Sequence, residues 1–129
     1  MKFEKGHTYD WNTILAGLNA VAGPVFYLLH QRGSQTIKAA CLSVDVNPRA
    51  PYEIIPATGP QITIWAEILC KQADPIPVFV RELDDKYYYR GLFKVTGQSS
   101  DANEIRQRGK QANRTDIYKI IFLSEISEP

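Results

Sequence analysis

The chain contains few residues of the kinds that bind metal ions or form disulfides. Its 129 residues include two cysteines, Cys41 and Cys70, and two histidines, His7 and His30. The cysteines lie far apart and form no CxxC pair, whereas structural zinc sites take closely spaced pairs of ligands. We therefore expect no metal ion and two buried, reduced thiols, as in cytoplasmic proteins.

Long apolar runs are also missing. The most apolar stretch, "GPVFYLLHQ", is much shorter than the roughly 20 residues of a membrane-spanning helix. The first ten residues lack the apolar core of a signal peptide. With 44% hydrophobic and 22% charged residues, the sequence predicts one globular domain over residues 1–129, located in the cytoplasm and without membrane contact.

Recognisable catalytic patterns are absent as well. Neither histidine lies near a nucleophile elbow of the kind that serine hydrolases use. Glu67 and Lys71 have the i,i+4 spacing of an ordinary ion pair on a helix surface. The chain also lacks a Gly-rich phosphate-binding loop. We therefore expect neither enzymatic activity nor a cofactor.

The net charge of +1 conceals an uneven distribution of charge. Between Lys86 and Lys119 there are eight basic and three acidic residues, and the stretch "IRQRGKQANRT" carries four positive charges and no acid. Two interpretations are open. The segment is either a solvated basic loop or a phosphate-binding surface. The candidate phosphate-binding residues are Lys94, Arg106, Arg108, Lys110 and Arg114.

The first half of the chain predicts two helices and two strands. Asp10 is a candidate N-cap for a helix over 11–22, and residues 25–31 and 36–44 predict strands joined by a turn at 32–34. Four prolines in 45–60 predict a stiff, extended loop. A second helix is expected over 61–72, beginning at Gln61 or at Trp65, with a strand leading into Trp65 as the alternative. Its apolar face consists of Ile62, Trp65, Ala66 and Leu69.

The sequence of the second half predicts an antiparallel hairpin formed by residues 76–82 and 86–96. The first strand lies in an apolar run over 75–83, and the turn is at Asp84-Asp85. Strand alternation assigns one set of residues to the core, with a bend or bulge at Gly91. That set consists of Tyr87, Tyr89, Gly91, Phe93 and Val95. Alternation leaves Tyr88 on the other face with Arg90 and Lys94, either exposed or packed under the first helix.

The remaining residues predict a long polar loop and a closing strand. We expect 97–114 to form at most one or two helical turns after Asp101. A final strand over 115–126 is expected to have Ile117, Ile121 and Leu123 on one face. The predicted fold class is α+β, with a small curved sheet or open β-barrel of about five strands and two flanking helices.

Three segments are similar to parts of the PUA-like superfamily, and specifically to its SRA (YDG)-type modified-base-binding domains. The hairpin "PIPVFVRELDDKYYYRGLFKV" resembles their central hairpin, with Tyr89-Arg90-Gly91 at their Tyr-x-Gly position. "NRTDIYKIIFLSEI" resembles their closing strand, and "GHTYDWNTIL" their first helix. The similarity lies in the pattern and order of elements over about residues 6–127, and Arg90 stands where the Tyr-Asp-Gly motif has aspartate.

This resemblance implies a DNA-binding protein, with DNA favoured over RNA, that reads a modified base flipped out of the stack. Such a protein would be the recognition component of a modification-dependent restriction or defence system, whose nuclease is a separate chain. The base pocket would then comprise Asp45, Asn47, Arg49, Tyr52, Tyr88 and Arg90. Two alternatives stay open: Asp45 and Asn47 simply form local turns, or the protein is a protein-interaction or structural module without a nucleic-acid role.

Overall fold

The computed structural model describes residues 2–23, 25, 27–82 and 84–127. This part of the chain is α+β, as predicted, with three helices and an open sheet of eight strands. The helices are α1 (Trp11–Leu18), α2 (Pro60–Lys71) and α3 (Ala102–Ala112). The strands are β1 (Thr8–Tyr9), β2 (Ala20–Ala22), β3 (Leu28–Gln31), β4 (Ile37–Ser43), β5 (Glu53–Ile54), β6 (Ile76–Arg81), β7 (Tyr87–Ser99) and β8 (Ile120–Ile126).

The strands follow the order β2-β3-β4-β6-β7-β8-β5, and β1 pairs with β7. Neighbouring strands are antiparallel except for β4 and β6, which are parallel. A parallel pair needs a long crossover, and here the proline-rich loop, β5 and α2 provide it. The crossover places the carboxyl ends of β4 and β6 side by side, with Ser43 paired with Arg81.

Two apolar clusters lie on opposite faces of the sheet. β4 contributes to both, because Ala40 and Leu42 belong to one cluster, whereas Ala39 and Cys41 belong to the other. Helix α2 covers the first face and α1 covers the second. The sheet is therefore buried on both sides, which explains the nearly continuous apolar sequence of β4. None of the described helices combines the length and the apolar character needed to cross a membrane.

The predicted first helix is too long. Asp10 caps it as expected, with its Oδ1 accepting a hydrogen bond from the Thr13 amide at 2.8 Å. The helix ends at Leu18 because Asn19 adopts the left-handed conformation, with φ 51° and ψ 48°. The next residues form β2, which pairs with β3. Pro24 and Phe26, near the end of the predicted helix and in the strand predicted over 25–31, lie outside the described part of the chain. So does Leu83, the last residue of the predicted apolar run over 75–83.

The second helix is confirmed, and the alternative of a strand leading into Trp65 is wrong. It begins at Pro60, directly after Gly59. Proline suits the first position of a helix because the amide it lacks has no partner there. Trp65, Ala66 and Leu69 are buried against the sheet as predicted, and Ile62 packs beside them.

The predicted hairpin is confirmed by the antiparallel pairing of β6 with β7. Tyr87 and Tyr89 share a face, packed in the cluster that α1 covers. Phe93 lies in the cluster on the opposite face, so its predicted place beside the two tyrosines is wrong.

A bulge in β7 causes this reversal. Val78 pairs with Gly91, and the next residue, Phe79, pairs with Tyr89. Arg90 is therefore an extra residue in β7, and it exchanges the two faces for the residues that follow, up to a second register shift between Val95 and Gly97. Gly91 has φ 117°, a conformation that suits glycine.

The predicted long loop over 97–114 is also wrong in part. Strand β7 continues to Ser99, and Asp101 then caps α3 by accepting a hydrogen bond from the Glu104 amide at 2.9 Å. Ile117 lies before β8 and packs in a separate small cluster with Ile55 and Ile120. It does not share the packing of Ile121 and Leu123, contrary to the prediction.

Candidate functional site

A cavity of about 400 Å³ lies at the carboxyl ends of the parallel strands β4 and β6, beside the proline-rich loop. Small-molecule sites typically occupy about 300–1,000 Å³ and combine apolar walls with a few polar groups. The walls are mainly apolar, with contributions from Val46, Ile54 and Ile55 of the loop. Its aromatic and polar lining residues are Tyr27, Ser43, Asn47, Arg81, Tyr87, Arg114 and Asp116.

Asn47 holds the loop in the shape that forms one wall. Its side-chain Oδ1 accepts a hydrogen bond from the Ile55 amide at 2.9 Å, and its own amide donates to the Ser43 carbonyl at 2.8 Å. Asn47 is 6% exposed. Asn47, predicted as a base-pocket residue, lines this cavity. Its side-chain carbonyl, however, is bonded to the backbone of the same loop, as in the alternative in which Asn47 only stabilises a local turn.

Two buried hydroxyl groups in the cavity-lining residues lack partners. The Tyr27 Oη and the Ser43 Oγ make no hydrogen bond to any described residue. Burial raises the pKa of the Tyr27 hydroxyl, since the charged form is poorly solvated there. A buried polar group without a partner costs about 1–3 kcal/mol. Both oxygens are almost completely enclosed by the protein, so they are not part of the surface that the cavity presents to a ligand.

Arg114 joins the loop to the connection between α3 and β8. Its Nε donates to Asp116 Oδ1 at 2.8 Å, and its Nη1 donates to the carbonyls of Val46 and Ile55 at 3.0 and 2.8 Å. The Arg114 side chain is only 13% exposed. All three of these contacts are within the protein. Arg114, predicted to contact phosphate, thus holds the cavity wall together in this structure.

A basic groove follows α3 and shares Arg114 with the cavity. It is an open concavity of about 610 Å³, lined by Arg106 and Lys110 among others. Both of these side chains are exposed, and Arg106 donates a hydrogen bond to the Asn103 side chain at 2.9 Å. Three of the predicted phosphate-binding residues, Arg106, Lys110 and Arg114, therefore line a groove next to the cavity. Lys94 is exposed on β7 and lines neither the cavity nor the groove.

Arg108 is not available to a ligand. It is 8% exposed, and its Nε and Nη2 donate to the two carboxylate oxygens of Glu53 at 2.9 and 3.1 Å. Arg49 donates to Gln111 at 2.9 Å and lies 3.5 Å from Glu53. Both arginines therefore tie the proline-rich loop to α3. Arg108, predicted as a phosphate contact, is thus engaged within the protein, and Arg49, predicted as a pocket residue, does not line the cavity.

The hairpin residues predicted for the pocket lie outside it. The Tyr88 hydroxyl donates to Asp84 at 3.4 Å near the hairpin turn, and the negative charge of Asp84 raises the Tyr88 pKa. Its neighbour Tyr87 lines the cavity instead, and Arg81 does so in place of Arg90. Tyr88 is half-buried, so neither of the alternatives expected for it, full exposure or complete burial, describes it.

The other two predicted loop residues are exposed and lie away from the cavity wall. Asp45 is exposed and does not line the cavity. Tyr52 is 52% exposed, with its ring packed edge-on against Phe93 at a centroid distance of 5.8 Å. The structure thus brings together Asn47, Arg114 and the groove cations, but it separates Asp45, Tyr52, Tyr88 and Arg90 from them.

Sequence reasoning missed Tyr27, Ser43, Arg81, Tyr87 and Asp116 as cavity residues. Tyr27 and Ser43 carried a weak signal, because each puts a hydroxyl group at the end of an otherwise apolar strand segment. Among the described residues, no three side chains of histidine, cysteine, aspartate or glutamate are grouped so that they could hold a metal ion. Comparisons of the chain with protein-family models, with curated proteins and with solved structures found no match.

Proposed function

We propose that this protein is a nucleic-acid-binding reader that accommodates a flipped, modified base in the cavity. The single observation that supports this most is the position of the cavity directly beside the basic groove, with Arg114 common to both. The proposal includes the PUA-like, SRA-type fold that the sequence resembles. It also includes an action on DNA in the cytoplasm, as the recognition component for a nuclease on a separate chain.

The composition of the cavity suits a base. A protein that reads a flipped base encloses it between aromatic or apolar side chains and contacts its edge with polar groups. Tyr27 and Tyr87 supply aromatic rings here, and the loop supplies aliphatic walls. Arg81 and Asp116 add polar side chains to the lining.

The groove suits the flanking phosphates. Arg106 and Lys110 are exposed cations on the surface of α3, and neither forms an ion pair with a described carboxylate. Phosphate contacts position a protein on nucleic acid, whereas base contacts provide specificity. In this proposal α3 positions the strand and the cavity reads the base.

A protein-interaction module is the second candidate. Val46 and Tyr52 of the proline-rich loop and Ile64 of α2 are large hydrophobic residues that are 45%, 52% and 49% exposed. Exposed apolar patches mark interaction sites on many proteins. None of these three residues lines the groove, so variants that alter the groove distinguish the candidates.

The cavity is tested with a DNA duplex that carries 2-aminopurine beside a modified cytosine. The fluorescence of 2-aminopurine rises when its neighbour leaves the stack, so binding is expected to increase the signal. Val46→Trp, at the cavity wall, should abolish the rise because the large ring occupies the space of the base. Ile64→Trp is the matched control, since Ile64 is similarly exposed and does not line the cavity. Equal signals from the two variants would contradict a base site in this cavity.

The groove is tested by the salt dependence of duplex binding. The double variant Arg106→Ala/Lys110→Ala is expected to reduce the slope of log affinity against log salt by about two. Arg32→Ala/Lys71→Ala removes the same charge from exposed positions outside the groove and should leave most of the slope. Identical slopes for the two double variants would exclude the groove from the phosphate contacts, and no duplex binding at all would favour the interaction module.

A further inference from the structure

We infer that the cavity binds a small organic carboxylate with an apolar body, and that Arg81 binds its carboxylate group. The inference goes beyond the proposed function, because such a ligand is free in solution and requires no nucleic acid. It is carried by Arg81, a half-buried residue that lines the cavity. The Arg81 guanidinium forms no ion pair or hydrogen bond with any residue in the described part of the chain.

Arg81 is the last residue of β6, and the sheet fixes its position at the cavity. It pairs with Ser43 of β4 on one side and with Tyr87 of β7 on the other, and both neighbours line the cavity. Residues that pair across strands point to the same face of a sheet. Burial raises the pKa of the Tyr87 hydroxyl, and the positive charge of Arg81 opposes that rise. The cation therefore lies in a wall that three neighbouring strands form.

The other two charged residues of the lining compensate each other. Arg114 donates to the Asp116 carboxylate and to two backbone carbonyls. The lining therefore carries one uncompensated positive charge, that of Arg81. A guanidinium binds a carboxylate through two parallel hydrogen bonds, and one carboxylate neutralises one guanidinium. A phosphate monoester carries a charge of about −1.5 to −2, so it would leave negative charge without a partner. The charge of the lining thus favours a carboxylate.

The rest of the lining suits an apolar body. Val25, Ile54 and Ile62 line the cavity and belong to, or pack against, the cluster that α2 covers. Arg81 lies at the other side of the strand ends, because Phe79, two residues before it, belongs to the cluster that α1 covers. The cavity thus has an apolar part and a cationic part. Its volume of about 400 Å³ is within the usual range for small-molecule sites. An amphipathic anion matches both parts, whereas an inorganic anion matches only one.

The ligand class is tested by calorimetric titration of the protein with three probes. 2-Naphthoate combines an apolar body with a carboxylate, 2-naphthamide has the body without the charge, and acetate has the charge without the body. We expect naphthoate to bind about tenfold more tightly than naphthamide, because its bonds to Arg81 are charge-assisted. Acetate should not bind measurably. The inference is overturned if naphthoate does not bind, or if naphthamide binds as tightly as naphthoate.

The role of Arg81 is tested by Arg81→Met, which removes the charge and keeps an unbranched, apolar side chain. The affinity for naphthoate should fall about tenfold, to that for naphthamide, and the affinity for naphthamide should not change. Arg32→Met is the matched control, since Arg32 is an exposed cation outside the cavity, and it should leave the ratio of the two affinities unchanged. Arg81→Lys keeps the charge without the two-point geometry and should retain part of the ratio. A naphthoate preference that survives in Arg81→Met would overturn the inference, since another group would then bind the carboxylate.

The position of the ligand is tested by Val46→Trp, in which a large ring at the cavity wall fills the space. It should abolish binding of both naphthyl probes. Ile64→Trp, at a similarly exposed position that does not line the cavity, should leave both affinities unchanged. Naphthoate binding that is equal in these two variants would place the ligand outside the cavity and overturn the inference.

The outcomes separate this inference from the proposed function, because the probes are titrated without DNA. If naphthoate does not bind and the 2-aminopurine signal of the duplex still rises, the carboxylate site is wrong and the reader function stands. If naphthoate binds as expected and no duplex does, the carboxylate site stands and the reader function is wrong.

Discussion

Replacing Arg108 with methionine is expected to destabilise the protein strongly and to leave nucleic-acid contacts unaffected. Arg108 and Glu53 form a two-point ion pair at 2.9 and 3.1 Å, and their side chains are only 10% and 12% exposed. Removal of one partner from a buried pair leaves the other charge without compensation, which costs about 3–5 kcal/mol. Arg49 lies 3.5 Å from Glu53 and compensates in part. We therefore expect a loss near the lower limit, about 3 kcal/mol.

This loss is large relative to the total stability of a small domain, which is typically about 5–15 kcal/mol. In urea denaturation at neutral pH the loss appears as a lower midpoint, while the slope of the unfolding free energy against urea concentration is unchanged. Arg106→Met is the matched control, because Arg106 is on the same helix with an exposed side chain. Its expected effect is within about 0.5 kcal/mol.

A second variant tests the cause of the loss. Arg108→Met/Glu53→Met removes both charges, and apolar replacement of a buried pair is often neutral. The double variant should therefore be more stable than Arg108→Met alone. The reasoning is refuted if Arg108→Met is as stable as Arg106→Met. If Arg108→Met were as stable as the parent and its slope of log affinity against log salt fell by about one unit, Arg108 would be a phosphate contact.

Two further predictions concern other structural features. Gly109→Ala should destabilise the protein by about 1–3 kcal/mol in urea denaturation, because the added carbon would lie 2.5 Å from the Arg114 carbonyl oxygen. Lys110→Ala on the same helix should have little effect, and a stabilised Gly109→Ala variant would contradict the close contact. Hydrogen bonds from Lys119 and Tyr118 lower the pKa of Glu67 below its usual value of 4.5. Its contribution to stability is therefore full above that pH and is lost as the pH falls. Urea midpoints measured from neutral to acid pH should fall less in Glu67→Gln than in the parent, and equal falls would contradict this assignment.

Local sequence signals were sufficient for the elements that depend on nearby residues. Asp10 and its bond to the Thr13 amide lie within one helical turn, and Gly59-Pro60 marks the start of α2. The β6–β7 hairpin is formed by segments that are adjacent in the chain. The four prolines in 45–60 indicated the loop that forms part of the cavity wall. For the helix cap, the start of α2 and the hairpin, the residues that specify the element lie within a short stretch of sequence.

The missed features depend on contacts between distant residues. The polar sequence of α3 indicated a loop because its buried contact is an ion pair between Arg108 and Glu53, 55 positions away. Helix α1 ends early at Asn19, and the next residues pair with β3, a strand that the sequence of the helix does not indicate. The spacing of residues within one element does not reveal which distant residues it contacts.

The sequence by itself determined the fold class, the hairpin and the presence of a stiff loop near a basic segment. Only the tertiary structure decided which residues meet at the cavity. The bulge at Arg90 depends on the register between β6 and β7, and it decides which face Phe93 and Val95 occupy. The crossover from β4 to β6 brings Ser43 beside Arg81, and Arg114 reaches the loop from beyond α3. Residues far apart in the chain become neighbours only through such pairing, because a period of two or of 3.6 residues describes one element and carries no information about its partner.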